Sequence, residues 1–265
     1  MNQSRIAVRS LLCALGLALA APAQAQIVNS LRGFSESESG FSGTLEALFT
    51  VARGNSDYLD WSAGVTGQYQ TSRHRARVIG SWNRRTAEGA TLADNNLVHL
   101  RHNLRFADRW STVLFGQSQR DPFRRIARRT LAGGGLRWDI LRNETVQEDG
   151  STRLQGQVSL GATLMHEAEE WTDDDRGTRH GERFSFFARG FGVVRDGVSL
   201  DLTGFYQPRP GDFRDSRALV GLNTNVDLVG SLRLILRYDL IHDAVPPRGV
   251  APTDYRFRSG LSLGL

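Results

Sequence analysis

The chain has 265 residues, with 33 basic against 28 acidic side chains, and every basic residue is arginine. The absence of lysine excludes Schiff-base chemistry and a phosphate-loop lysine, and a single cysteine excludes a disulfide framework. The net charge of +5 is spread along the chain rather than gathered in one patch, which argues against nucleic acid as a partner.

Residues 1–25 have the three parts of a secretory signal: Arg5 and Arg9 as the only charges, an apolar stretch over 11–21, and the small-residue box Ala23-Gln24-Ala25. That stretch is shorter than the ~20 residues a spanning helix needs, so cleavage before Gln26 is expected. Cys13 would leave with it, and the mature chain would then hold no disulfide, thiolate ligand or cysteine nucleophile. Loss of Arg5 and Arg9 leaves 31 arginines against 28 acids, a net charge of +3. Residues 26–40, with several Ser and Glu, read as a periplasmic linker. No later window is a long apolar run, so no helical span is expected. A mean hydropathy of -0.35 is still compatible with a membrane barrel, which shows only alternate residues to lipid.

From Phe41 to Leu265 the chain alternates with period two in segments of roughly ten residues. Phe41 and Leu45 oppose Ser42 and Thr44; Trp61, Val65 and Tyr69 oppose Ser62, Thr66 and Gln68; Val78 and Trp82 oppose Arg77 and Ser81. Leu100, Leu104 and Phe106 oppose Arg101, Asn103 and Arg105. A fifth segment, 110–119, alternates poorly because Leu114 and Phe115 compete for the outer face, and a sixth runs over 130–140 with Leu136 and Trp138 around Arg137. Six more follow, about twelve in all, an even number that suits a bacterial barrel. Compact connections at 71–73, 107–109, 195–197 and 229–231 alternate with longer, more polar ones at 86–94, 121–125, 168–181, 207–215 and 244–253. Two break the pattern: 142–151 is long where a short turn is expected, and Gly54-Asn55-Ser56 is short where a long one is.

The last residues form a strand running to the carboxyl end. Leu261, Leu263 and Leu265 lie on one face and Gly260 and Ser262 on the other. This resembles the C-terminal signal of Gram-negative outer-membrane barrels, with Gly260, Leu263 and Leu265 as the positions read by the barrel-assembly machinery. The general signal prefers Phe where this chain closes on Leu265. Trp61, Trp82, Trp110 and Trp138 fall near strand ends, as interfacial girdles require. The competing architecture is a soluble periplasmic β-sandwich with the apolar faces turned inward.

The segment Arg53-Gly54-Asn55-Ser56-Asp57, the long alternating strand after it, and Leu131-Ala132-Gly133-Gly134-Gly135-Leu136-Arg137-Trp138 carry a family resemblance. The chain from about Phe41 to Leu265 resembles the salt-induced outer-membrane protein family, whose domain is of unknown function. The resemblance implies an all-β, transmembrane, antiparallel up-and-down barrel and carries over no catalytic residues.

The expected inward face is rich in arginine: Arg75, Arg77, Arg101, Arg105, Arg137, Arg153, Arg189, Arg233, Arg237, Arg256 and Arg258, with Glu46, Asp60, Asp139, Glu167, Asp201, Asp227 and Asp239 among them. Such a lumen is either a narrow anion-tolerant channel or an interior plugged by Arg–carboxylate ladders. The acidic run 167–175 reads as a solvated loop, with Ca²⁺ binding as the sharper alternative, although it lacks the spacing of an EF-hand. Asp121-Pro122-Phe123-Arg124-Arg125, with Arg128 and Arg129, reads as loop charge able to touch lipopolysaccharide phosphate. A lipid-modifying barrel enzyme, of phospholipase or lipid A deacylase type, would need a Ser–His pair near the lipid-facing wall. His102 and His166 fall on the outer face, His99, His180 and His242 in the lumen or loops, and no residue set qualifies as catalytic. The expectation is a passive outer-membrane barrel in contact with lipid and lipopolysaccharide, with no cofactor, metal or enzymatic site.

Overall fold

The computed structural model describes residues 29–31, 39–52, 58–87, 90–122, 125–146, 152–172, 177–246 and 251–263. The secretory signal, the Gly54-Asn55-Ser56 turn, Asp173 to Asp175 and Leu265 lie outside the described residues, as do the side chains of Glu46, Asp60, Arg153, Arg256, Arg258 and Leu263.

Twelve strands follow one another. The first six are β1 (Gly40–Ala52), β2 (Tyr58–Gln70), β3 (His74–Ala87), β4 (Ala90–Ala107), β5 (Trp110–Asp121) and β6 (Ile126–Val146). The others are β7 (Thr152–Trp171), β8 (Arg179–Arg195), β9 (Val198–Arg209), β10 (Asp212–Val229), β11 (Leu232–Asp243) and β12 (Thr253–Leu263). Each pairs antiparallel with the next in chain order, and β1 and β12 meet, so the sheet curls round as an up-and-down barrel. Gly40 and Leu263 lie at the same end as the turns 71–73, 108–109, 196–197 and 230–231. That end is called the turn end below, and the opposite one the loop end.

The strand count agrees with the alternation, but the strands are longer than it indicated. Polar segments expected as loops continue the wall: 168–181 shrinks to 172–178, 207–215 to 210–211, and 86–94 to 88–89. The long connection expected over 142–151 is corrected in the same way, since β6 runs on to Val146. Irregular pairing at Asp139/Leu141 and Asn143/Glu144 shifts the register there, which scrambles the alternation after Ile140. The 210–211 connection turns on Gly211, whose φ of 83° suits a tight hairpin and is costly for a side chain.

The outer face exposes Leu45, Val78, Leu100, Leu114, Leu136, Leu160, Leu164, Leu202, Leu222, Tyr255 and Phe257, a belt far larger than water tolerates. Trp61, Trp82, Trp110 and Trp138 are exposed within it, and Trp110 stacks on Trp138 at 5.8 Å. The apolar faces point outward, so the soluble sandwich is not the architecture. In β5, Leu114 takes the outer face and Phe115 the inner one.

The inner face holds an apolar core besides its polar residues. Val113, Phe187, Phe205, Leu219 and Ile241 project inward and cluster with Leu31, and Phe115 packs against them. Two glycine positions make room for these rings. A Cβ on Gly161 would lie 2.1 Å from the Phe187 ring, and one on Gly133 2.7 Å from Phe115. Gly133 on β6 and Gly161 on β7 thus leave clearance for inward aromatic rings in a narrow lumen.

Within the segment 26–40 expected as a periplasmic linker, residues 29–31 are buried, with Leu31, 1% exposed, in the apolar core and Asn29 and Ser30 beside it. The Asn29 side-chain oxygen accepts a hydrogen bond from the Leu31 amide at 3.3 Å, which folds the segment into a compact turn.

Candidate functional site

Toward the loop end, buried charges form a closed lattice. Glu167 on β7 accepts hydrogen bonds from Arg129 Nε at 3.0 Å and Arg217 Nη1 at 2.7 Å, and lies 3.4 Å from Arg183 Nε. Arg217 also donates to Glu169 and to Asp243, each at 2.9 Å. Arg183 donates to Asp215 at 2.6 Å and to the carbonyls of Gln207 and Asp215. Arg209 and Arg179 complete the ring around Asp215, at 2.7 and 3.1 Å. Every carboxylate here faces at least one guanidinium, which is the condition for holding charges out of water.

At the waist the lumen turns apolar. The Arg101 guanidinium lies 5.1 Å from the centre of the Phe187 ring, and its Nη1 donates to Ser30 Oγ at 3.3 Å. A cavity of about 30 Å³, large enough for very little beyond water, is left between His99, Arg101, Phe115, Met165, Phe205 and Ser30.

Below the waist the wall is polar again. Arg189 engages Asp201 through Nε and Nη2, at 3.2 and 2.8 Å, and Thr203 donates to the same carboxylate. Arg75 and Arg77 donate to Gln70 and Gln68 on β2, each at 2.7 Å, and Arg237 to Asn223 at 3.3 Å. Arg137 donates to Asp139 at 2.9 Å. At the turn-end mouth the lumen widens into a basin of about 180 Å³.

Of the arginines expected on the inward face, Arg75, Arg77, Arg101, Arg137 and Arg189 are buried. Arg105 lines the basin. Arg233 is 53% exposed and pairs with the also exposed Asp227 at 2.8 Å, where β10 and β11 reach the rim. Gly260 lies exposed on β12, whose last residue, Leu263, pairs with Leu232.

The residues missed by the alternation are those of the lattice: Arg129, Arg183, Arg209, Arg217, Glu169, Asp215 and Asp243. Glu167-Ala168-Glu169 carried a usable signal, since it continues the parity of Thr163 and Met165 into the supposed loop. The solvated-loop and Ca²⁺ readings of Glu167 and Glu169 are corrected, because arginines take up both carboxylates inside the barrel.

On the outer wall His166 Nδ1 lies 2.7 Å from Glu182 Oε1, and its ring stacks on His180, which also lies outside. Its same-face neighbours along β7 are Leu164 and Ala168, neither a nucleophile. His102 pairs with His74 at 3.2 Å. His242, expected in the lumen or a loop, has the outward parity of β11 and contacts Thr253 at 2.9 Å. His99 is buried in the lumen.

Residues 45–264 match the family model described as "Protein of unknown function, DUF481". No protein with a curated description matches the chain. Among solved structures, a NanC porin is 12% identical with a TM-score of 0.50, over 85% of this chain and 98% of that one. The translocator domain of the autotransporter NalP from Neisseria meningitidis is 12% identical with a TM-score of 0.41, over 98% and 97% of the two chains. A KdgM porin is 6% identical with a TM-score of 0.43, over 84% and 98%. The likeness to the NanC porin is one of fold.

Proposed function

The chain belongs to the family of proteins of unknown function DUF481, and from that premise we propose an outer-membrane barrel held shut by its own interior. In this reading the protein is a structural element of the Gram-negative envelope at rest, not an open anion pore. One observation carries it: the waist is filled by Phe187, Phe205, Leu219, Ile241 and Val113, with Leu31 of the N-terminal segment seated among them. An apolar constriction of this kind dewets and blocks ions whatever charge lies above or below it.

The continuous apolar belt on the outer wall, with tryptophans at 61, 82, 110 and 138, supports placement in a lipid bilayer. At the loop end the belt gives way to outward Arg120, paired with Asp94 at 3.0 Å, and outward Arg128 and Glu182, groups suited to lipopolysaccharide phosphates and their bridging cations. The strand β12, which carries Gly260 and Leu263, is the segment offered to the barrel-assembly machinery. No catalytic role is assigned, since His166 and Glu182 have no nucleophile beside them on β7.

Planar-bilayer conductance of the refolded protein under a salt gradient tests the reading. Wild type is expected to be silent, whereas Leu31→Asp, which places a charge in the apolar seat, is expected to conduct. Steady anion-selective current through wild type would establish the open channel instead. Turnover of phospholipid or lipid A by the folded barrel would establish an enzyme.

A further inference from the structure

The two ends of the lumen differ in how completely their charges are matched, and the turn end is left with a surplus. Its basin of about 180 Å³ is lined by five arginines, at 73, 75, 105, 137 and 142, against two carboxylates, Asp139 and Glu144. Both acids are engaged: Asp139 accepts from Arg137 at 2.9 Å and Gln157 at 3.3 Å, and Glu144 is paired with Arg142. Arg75 is anchored on Gln70. Arg105 and Arg73 have no side-chain partner among the described residues. Their backbones are nonetheless tied together, the Arg105 amide donating to the Arg73 carbonyl at 2.8 Å, so the two guanidiniums spring from neighbouring points on the rim.

A second observation concerns a neutral group in the same wall. Asn103 is 5% exposed and its side-chain oxygen accepts from Arg101 Nε at 3.3 Å. Its amide nitrogen Nδ2 is buried with no acceptor in reach. A buried donor left unsatisfied costs roughly 1–3 kcal/mol, so a ligand oxygen that accepts from it gains correspondingly.

We infer that the turn-end basin is a binding site for a small oxyanion, a carboxylate or a phosphate, held by Arg105 and Arg73 with Asn103 Nδ2 as a third donor. Guanidinium forks match the paired oxygens of both groups, and a cavity of this size admits a small ligand rather than a polymer segment. The site opens at the turn end and needs no path through the waist, so it goes beyond the reading of the barrel as closed.

Calorimetric titration of the refolded, detergent-solubilised full chain at low salt tests this, with inorganic phosphate and succinate as separate probes. Saturable binding of at least one probe is expected, weakened tenfold or more in the double variant Arg73→Gln/Arg105→Gln. Whichever probe binds more tightly identifies the chemistry of the ligand. Asn103→Asp, which sets a carboxylate against the incoming anion, is expected to abolish binding. Arg120→Gln, on the outer wall, is expected to leave it unchanged, and heat-modifiable migration on a gel reports that each variant is folded. Absence of binding to both probes would overturn the site, as would wild-type affinity in a folded Arg73→Gln/Arg105→Gln variant. Conductance enters none of these readouts, so the site and the closed waist fail separately.

Discussion

The loop-end lattice and the turn-end basin are built from the same residue type and reach opposite results. At the loop end, arginines 129, 183 and 217 are each met by carboxylates within 3.4 Å, and all three are buried. At the turn end the arginines outnumber the acids and face a basin of about 180 Å³. The difference lies in the acids, since arginine runs along the whole wall. Glu167, Glu169, Asp215 and Asp243 all sit toward the loop end, whereas Asp139 and Glu144 alone line the basin. Arginine abundance alone therefore makes neither a pore nor a plug; the distribution of carboxylates decides between a locked layer and a receptive one.

Removing the shared acid gives the largest expected break in this contrast. Glu167→Gln removes the carboxylate that Arg129, Arg183 and Arg217 share in a buried layer, and breaking one partner of a buried pair costs about 3–5 kcal/mol. Urea unfolding of the refolded barrel in lipid vesicles should show that loss, and a variant as stable as wild type would mean the lattice is hydrated. A smaller effect belongs to the waist. Gly161→Ala pushes a methyl into the Phe187 ring, and overpacking of this kind costs about 1–3 kcal/mol. In a Phe187→Ala background the same glycine change should cost less than it does alone, because the two residues share one space. The smallest effect is expected at the rim, where Arg233→Gln removes an open pair with Asp227. A solvent-exposed pair is worth roughly 0–1 kcal/mol, so the unfolding midpoint should barely move.

Much of the wall was legible in the sequence. The twelve-strand order, the outward tryptophans and the inward Arg75, Arg77, Arg101, Arg137 and Arg189 follow from alternation, because neighbouring side chains on a strand leave opposite faces. The interior filling was not legible. Phe187 and Phe205 break alternation by placing apolar groups inward beside outward Phe186 and Tyr206, and a period-two reading sees there only a weak strand. The lattice was hidden for another reason. Glu167, Glu169 and Asp215 have the composition of loops, and only their cross-barrel partners, far away in sequence, turn them into wall. Burial of Leu31 has no sequence signal in its own segment, since one leucine between serine and arginine looks like any linker.

Leu31 also sets a timetable. Each strand of the wall pairs with its immediate successor, so the sheet is built from local contacts, and the β1–β12 seam alone joins distant parts of the wall. The filling is the reverse: Leu31 clusters with Ile241, almost the whole chain away. Distant partners of this kind meet after local ones, so most of the sheet can pair while Leu31 is still outside. On the closed-barrel reading proposed above, the sheet is hollow until Leu31 seats among its apolar partners.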